Sequence, residues 1–184
     1  MANYRRCYVP GGSCFFTVVT ERRAAILAND TARDCLRSAI RHCQHVLPFH
    51  VDALVILPDH IHAIWSMPPG DCDYSKRWGI VKRHFTQHWL ALGGIEQPIS
   101  ESRKNNRRRS VWQRRFWEHT LRDERDYQHH FDYLHFNPVK HGLVDKVSNW
   151  PYSSFHYWVK QGVYPDDWGY GREIYDFLSE SYGE

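Results

Sequence analysis

His60 and His62 stand one residue apart in the stretch HIHAIWSM. On an extended chain residues i and i+2 face the same side, so both imidazoles are presented together while Ile61 and Ala63 point away. Two neutral imidazoles can begin a metal site. The chain holds 13 histidines in 184 residues, however, and a His-x-His pair is expected roughly once by chance at that density, so context has to give the pair its meaning. The context is DYQHHFDYLHFNPVKHG, from Asp126 to Gly142, in which Tyr133 and Asn137 are four residues apart. That spacing puts both on one helical face, a phenol followed one turn later by an amide oxygen. A phenol can attack phosphorus and an amide oxygen can ligate a metal. Free tyrosine titrates near pH 10, so the phenol needs a cation or a base close by to act at neutral pH.

The elements that must position these groups can be read from periodicity. Cys14 to Thr20 is β-branched and aromatic after a Gly11-Gly12 turn, and reads as a strand. Leu36, Ile40, Cys43 and Leu47 recur at helical spacing after Asn29 or Asp30, until Pro48. Phe49 to Leu57 and His60 to Met67 read as paired strands around a Pro58-Asp59 turn. Tyr74, Trp78, Val81, Phe85 and Trp89 mark one face of a second helix, with Lys76, Arg77, Lys82 and Arg83 on its other faces and Gly93-Gly94 at its end. Residues 95 to 110 lack an apolar period and read as a long surface loop. Val111 to Leu121 reads as a fourth strand, Glu124 to Asn137 as a third helix stopped by Pro138, and a short helix is expected near Ser154. This order implies an α+β fold, a ferredoxin-like antiparallel sheet with packed helices, the histidines on a central strand and the tyrosine on a helix. Residues 1–150 are taken as the catalytic domain and 151–184 as a packed C-terminal tail.

Composition sets the outer limits. Hydrophobic residues at 42% and charged residues at 24% are the balance of a globular chain, not a disordered one. No run approaches the roughly 20 apolar residues that span a bilayer, and the N-terminus MANYRRCYVPGG has no signal-peptide core. A soluble, cytoplasmic protein is expected, with no membrane partner. Five cysteines without a CxxC pair argue against a disulfide framework or a thiolate zinc site.

The net charge is only +3, but its distribution is informative: Arg103, Lys104, Arg107, Arg108, Arg109, Arg114 and Arg115 fall in one acid-free stretch suited to phosphates. Arg107, Arg108, Arg109, Arg114 and Arg115 are the principal candidates for DNA phosphate contact, followed by Arg5, Arg6, Lys82, Arg83 and Lys140. Trp112, Phe116 and Trp117 alternate with cations and could stack on unpaired bases, although packing is the commoner fate of tryptophan. His129, one turn before Tyr133, could orient the phenol, and Glu118 and His119 could support a metal ligand from behind.

The strand-borne HIH after Pro-Asp, the later YxxxNPVKxG helix, and RRxxxxGG before a strand together resemble the single-tyrosine HUH transposases, specifically the REP-associated tyrosine transposases. The resemblance runs from Tyr4 to about Asp167. It implies that His60 and His62 bind a divalent metal, Mg²⁺ or Mn²⁺, with Asn137 completing the coordination and Tyr133 attacking the DNA. It also implies that Gly11, Gly12 and Ser13 lie near the DNA, with serine where threonine is commoner. The expected activity is cleavage and rejoining of single-stranded DNA at palindromic hairpins through a 5′-phosphotyrosine. The alternatives are a hairpin-binding protein without turnover and a metal-dependent phosphoesterase that delivers water. A monomer is expected, a dimer being the alternative.

Overall fold

The computed structural model describes residues 9–99, 101, 105 and 109–169. Its elements are β1 (Ser13–Val19), α1 (Asp30–Val46), β2 (His50–Ile56), β3 (His60–Ser66), α2 (Tyr74–Ala91), β4 (Trp117–Thr120), α3 (Glu124–Lys140) and α4 (Phe155–Lys160). The strands form one antiparallel sheet in the order β2-β3-β1-β4. The β1-α1-β2 connection leaves a slot between its strands that β3 fills, which is the ferredoxin-like arrangement.

Register decides which side chains share a face. Thr17 lies opposite His62 on one side and Trp117 on the other, and Phe15 lies opposite Ile64 and His119. One face therefore carries Phe15, Thr17, His60, His62, Trp117 and His119; the other carries Phe16, Val18, Ile61, Ala63 and Trp65. The helix pair α1 and α2 covers the second face, where Trp65 stacks on Trp78 at 4.0 Å and packs on Phe49 at 4.3 Å. Burying each such aromatic contributes roughly 2–3 kcal/mol. The first face is covered by α3 and the following segment, through Phe131, Tyr133, Leu134, Phe136, Val147, Phe155 and Tyr164. The histidine strand is thus internal, and the face bearing the imidazoles meets the tyrosine helix.

Local chemistry explains the helix ends. Asn29 caps α1 by accepting from the Ala32 amide, and the chain turns extended at Leu47 just before Pro48. Asp73 caps α2 by accepting from Lys76, and α2 ends ahead of Gly93, whose φ of +83° suits glycine.

Four expectations need correction. Pro138 does not stop α3, which continues to Lys140; Asn137 donates its side-chain Nδ2 to the Tyr133 carbonyl, and His141 and Leu143 amides close the last turn beyond the proline. The fourth strand is only Trp117–Thr120, because the chain bulges after an isolated bridge between Trp112 and Thr20. Arg77 is not on an outer face of α2. It is buried, with Asp71 accepting at 2.6 Å and the Pro48 carbonyl at 2.8 Å. Within 95–110, Glu101 and Asn105 have helical backbone, and the ends are stitched by Glu96 to Arg109 at 2.8 Å and by the Gln97 amide to the Ser110 carbonyl.

Candidate active site

The Pro58-Asp59 turn starts β3 on His60, and the alternation of the strand sends His60 and His62 to the α3 face. Asp59 accepts from Nδ1 of His60 at 2.6 Å and from Arg23 at 3.1 Å. Burial alone would raise the Asp59 carboxyl, but the His60 and Arg23 contacts prevail and hold it at about 2. The resulting carboxylate fixes the His60 tautomer with its proton on Nδ1, which leaves the Nε2 lone pair facing inward. That Nε2 is buried and has no hydrogen-bond partner among the described residues.

His62 is held from both sides. Thr17 Oγ1 lies 3.0 Å from Nδ1, and Asn137 Oδ1 lies 3.1 Å from Nε2. Burial, followed by the nearby His60 and His141 rings, pushes the His62 imidazole well below its ordinary titration range, so it is neutral. Asn137 is aimed by its own helix. Because Nδ2 donates to the Tyr133 carbonyl at 2.8 Å, Oδ1 must be the atom that faces His62. His60, His62 and Asn137 are 2%, 1% and 0% exposed; His62 Nε2 donates to Oδ1 in this buried cluster, and with that proton on Nδ1 instead the two Nε2 atoms and Oδ1 become a donor set that suits a divalent ion.

Tyr133 is buried beside this cluster, its ring 5.7 Å from His62 and 6.0 Å from Phe15. Lys140, two turns further along α3, donates from Nζ to the Tyr133 hydroxyl at 3.2 Å. That contact places a positive charge directly against the phenolic oxygen. Sequence reasoning placed Lys140 only among phosphate contacts, and it missed Thr17 and Asp59 entirely. Asp59 was detectable as an acid adjacent to the first histidine. Thr17 becomes visible only once the β1–β3 register is known.

The remaining sequence candidates divide by location. Ser13 bonds Ser66 at 2.7 Å, and Gly11, at φ +73°, donates its amide to the Asp71 carbonyl. Both lie at the far end of β1 from the histidines, since Ser13 pairs with Ser66 and Thr17 with His62. Gly12 accepts there from the Met67 amide. Lys82 donates to the Gln113 carbonyl at 2.8 Å, while Arg83 is exposed on α2, away from the histidine face. Arg109 pairs with Glu96, and Arg114 and Arg115 are exposed. Arg5, Arg6, Arg107 and Arg108 lie outside the described residues.

Glu118 pairs in register with Phe16 and so belongs to the opposite face of the sheet from the histidines. His119 is 2.8 Å from Asp126, which also accepts from Arg122. His119, Asp126 and His130 offer donor atoms within 4.8 Å of one another. The two rings stack at 4.4 Å and 14°.

More than nine-tenths of the chain matches two relatives of one kind. It is 44% identical over 178 residues to the REP-associated tyrosine transposase of Escherichia coli K12, covering 96% of this chain and 95% of that one. It is 44% identical over 170 residues to a Haemophilus influenzae protein assigned to the same family, covering 92% and 94%. A solved structure of a REP-associated tyrosine transposase bound to a REP hairpin superposes with a TM-score of 0.77 at 44% identity, covering 93% of each chain. No protein-family model matches the chain. The ferredoxin-like sheet and these relatives define a transposase-class protein. Within that class, the chain belongs to the REP-associated tyrosine transposase family. Among the described residues no helix is long and apolar enough to cross a membrane.

Proposed function

We propose that this protein cleaves and rejoins single-stranded DNA beside a palindromic hairpin, with Tyr133 as the nucleophile. The observation that carries the reading is the 3.1 Å approach of Asn137 Oδ1 to His62 Nε2, which joins the helix of the tyrosine to the strand of the histidines. His60 Nε2, His62 Nε2 and Asn137 Oδ1 would hold Mg²⁺ or Mn²⁺, and Asp59 and Thr17 orient the two rings. A bound ion would neutralise charge on the non-bridging phosphate oxygens, a contribution of several kcal/mol.

Lys140 stabilises negative charge on the Tyr133 oxygen as the phenolic proton departs. The oxygen attacks phosphorus, the P–O3′ bond breaks, the departing 3′ oxygen takes up a proton from solvent in place of the one the phenol released there, and the products are a 5′-phosphotyrosine and a strand ending in a 3′-hydroxyl. Because one phosphoester replaces another, a 3′-hydroxyl can later attack the phosphotyrosine, release Tyr133 and reseal the strand without ATP. The relative bound to a REP hairpin supports hairpin DNA as the substrate, and Arg114 and Arg115 supply exposed positive charge near the site. The protein is proposed to act on this DNA as a monomer in the cytoplasm. Gly11, Gly12 and Ser13 would contact the DNA at the other end of β1, as a separate anchoring point.

The test uses hairpin oligonucleotides with single-stranded flanks, one end-labelled and one unlabelled acceptor, in Mn²⁺. Strand exchange that yields a longer labelled product supports the reading. Cleavage that persists in Tyr133→Phe would instead indicate water as nucleophile, and binding without any cleavage would leave a hairpin-binding protein.

A further inference from the structure

Strand β4 is the edge of the sheet nearest the basic stretch, and it is irregular in a specific way. Between the Thr20–Trp112 bridge and the Thr17–Trp117 pair, β1 advances three residues while the opposing chain advances five. Two extra residues are therefore accommodated between Gln113 and Phe116. Bulges of this kind re-aim side chains and are frequent next to active sites. Here the bulge is pinned from below, since Lys82 donates to the Gln113 carbonyl and the Gln113 amide bonds the Val19 carbonyl.

The bulge opens a groove of about 310 Å³ lined by Thr17, Val19, Gln113, Arg115, Phe116 and Trp117. Three aromatic residues of this segment fare differently. Trp112 is buried against Phe85, and Phe116 packs on Phe16, Tyr74 and Trp78. Trp117 is 44% exposed. Its ring is braced edge-on by Phe15 at 5.7 Å and lies parallel to His119 at 6.0 Å, which holds an indole on the rim of the groove in a defined orientation.

The groove shares one residue, Thr17, with the candidate active site. Thr17 lines it and also bonds His62, and Phe15, which braces Trp117, stacks on His62 at 5.4 Å. Its charge is positive: Arg115 lies in the lining, Arg114 is beside it, and Lys82 is beneath Gln113. A braced aromatic face next to cations is the platform on which single-stranded nucleic acid stacks its bases.

Resting on the strand-transfer reading, we propose that this groove holds one unpaired base of the single strand next to the scissile phosphate, stacked on Trp117 with Arg115 on its phosphate. The subsite then sets which flanking nucleotide must be unpaired and inserted for the phosphate to reach Tyr133. Stacking accepts any base, so with Arg115 on the phosphate the side-chain amide of Gln113 is the lining group available to distinguish one base from another.

The experiment measures binding of a fluorescent hairpin oligonucleotide with a single-stranded flank, in EDTA so that no cleavage intervenes. Abasic sites are placed at successive flank positions, and Trp117→Ala is compared with wild type and with Trp117→Phe, which keeps a ring against Phe15. At one position the abasic site and Trp117→Ala should each weaken binding about tenfold, and together no more than either alone. Trp117→Phe should recover most of the loss, and a hairpin without a flank should bind wild type and Trp117→Ala equally. Additive losses at every position, or equal weakening on the flankless hairpin, would overturn the subsite. Adduct formation in Mn²⁺ is scored separately. An adduct without coupling removes the base subsite alone, whereas coupling without an adduct keeps it and removes the strand-transfer reading.

Discussion

The side-chain oxygen of Asn137 sits 3.1 Å from Nε2 of His62, across the gap between α3 and β3. This contact converts two separate sequence features into one site, because Asn137 is aimed by its bond to the Tyr133 carbonyl. Asn137→Ala should therefore abolish Mn²⁺ binding, and Asn137→Asp, which keeps an oxygen there and adds charge, should retain it. Electron paramagnetic resonance titration of Mn²⁺ reads both. Unchanged Mn²⁺ affinity in the alanine variant would remove Asn137 from the ligand set.

Lys140 is expected to act on the nucleophile more than on DNA affinity. A hydrogen bond from an ionised donor is worth about 1.5–3 kcal/mol, so Lys140→Met should slow single-turnover adduct formation about 10- to 100-fold. The rate of the variant should climb further toward alkaline pH than that of wild type, because the phenolate must then form without a neighbouring cation. A loss confined to hairpin affinity would return Lys140 to the phosphate contacts.

Arg114 and Arg115 should contribute ordinary electrostatic binding. Changing both to Gln should weaken hairpin binding at all sequences and lower the slope of log affinity against log salt by about 2. If the slope stays put, neither arginine is on a phosphate.

Stability should fall in mild acid. Burial lowers His130 to about 4 and His135 to about 3, both below the ordinary histidine value near 6.5. Neutral imidazole is thus favoured in the folded chain. The stabilisation is complete above the unfolded value and is lost as pH falls from about 6.5 toward 4 for His130 and toward 3 for His135. Urea melts followed by circular dichroism should give a lower midpoint at about pH 5 than at about pH 7.5. A flat midpoint across that interval would contradict neutral burial of these rings.

The anchoring of α2 depends on an ion pair that the sequence conceals. Arg77 is buried, and its guanidinium holds the Asp71 carboxyl at about 2. Asp71→Ala leaves that charge with carbonyl partners alone; because the Asp71 side chain is 34% exposed and screened, the fold should lose about 1 kcal/mol, measured by chemical denaturation. A change under about 0.5 kcal/mol would mean that the pair is already compensated by solvent.

The strands and helices were legible because their apolar residues keep clean periods. Leu36, Ile40 and Cys43 face the sheet as their spacing predicts, and the alternation around His60 and His62 puts both rings on one face. What stayed hidden depends on pairing across the sheet. Thr17 reaches His62 only through the β1–β3 register, and the bulge after Trp112 is set by how many residues of β1 it opposes. Pro138 misled because a proline in isolation stops a helix, whereas here the last turn continues past it with the Asn137 amide on the Tyr133 carbonyl. Arg77 misled because a charged residue on a helix is usually solvated, and its acid partner lies in the preceding turn.

The central claim, that Tyr133 carries the DNA, is tested most directly by locating the covalent bond. The protein is reacted with a 5′-flanked hairpin oligonucleotide in Mn²⁺, digested with trypsin and nuclease, and mapped by mass spectrometry. The account predicts a single peptide bearing a nucleotide 5′-phosphate on Tyr133, absent from Tyr133→Phe. A nucleotide attached elsewhere, or cleaved strands with no modified peptide, would contradict it.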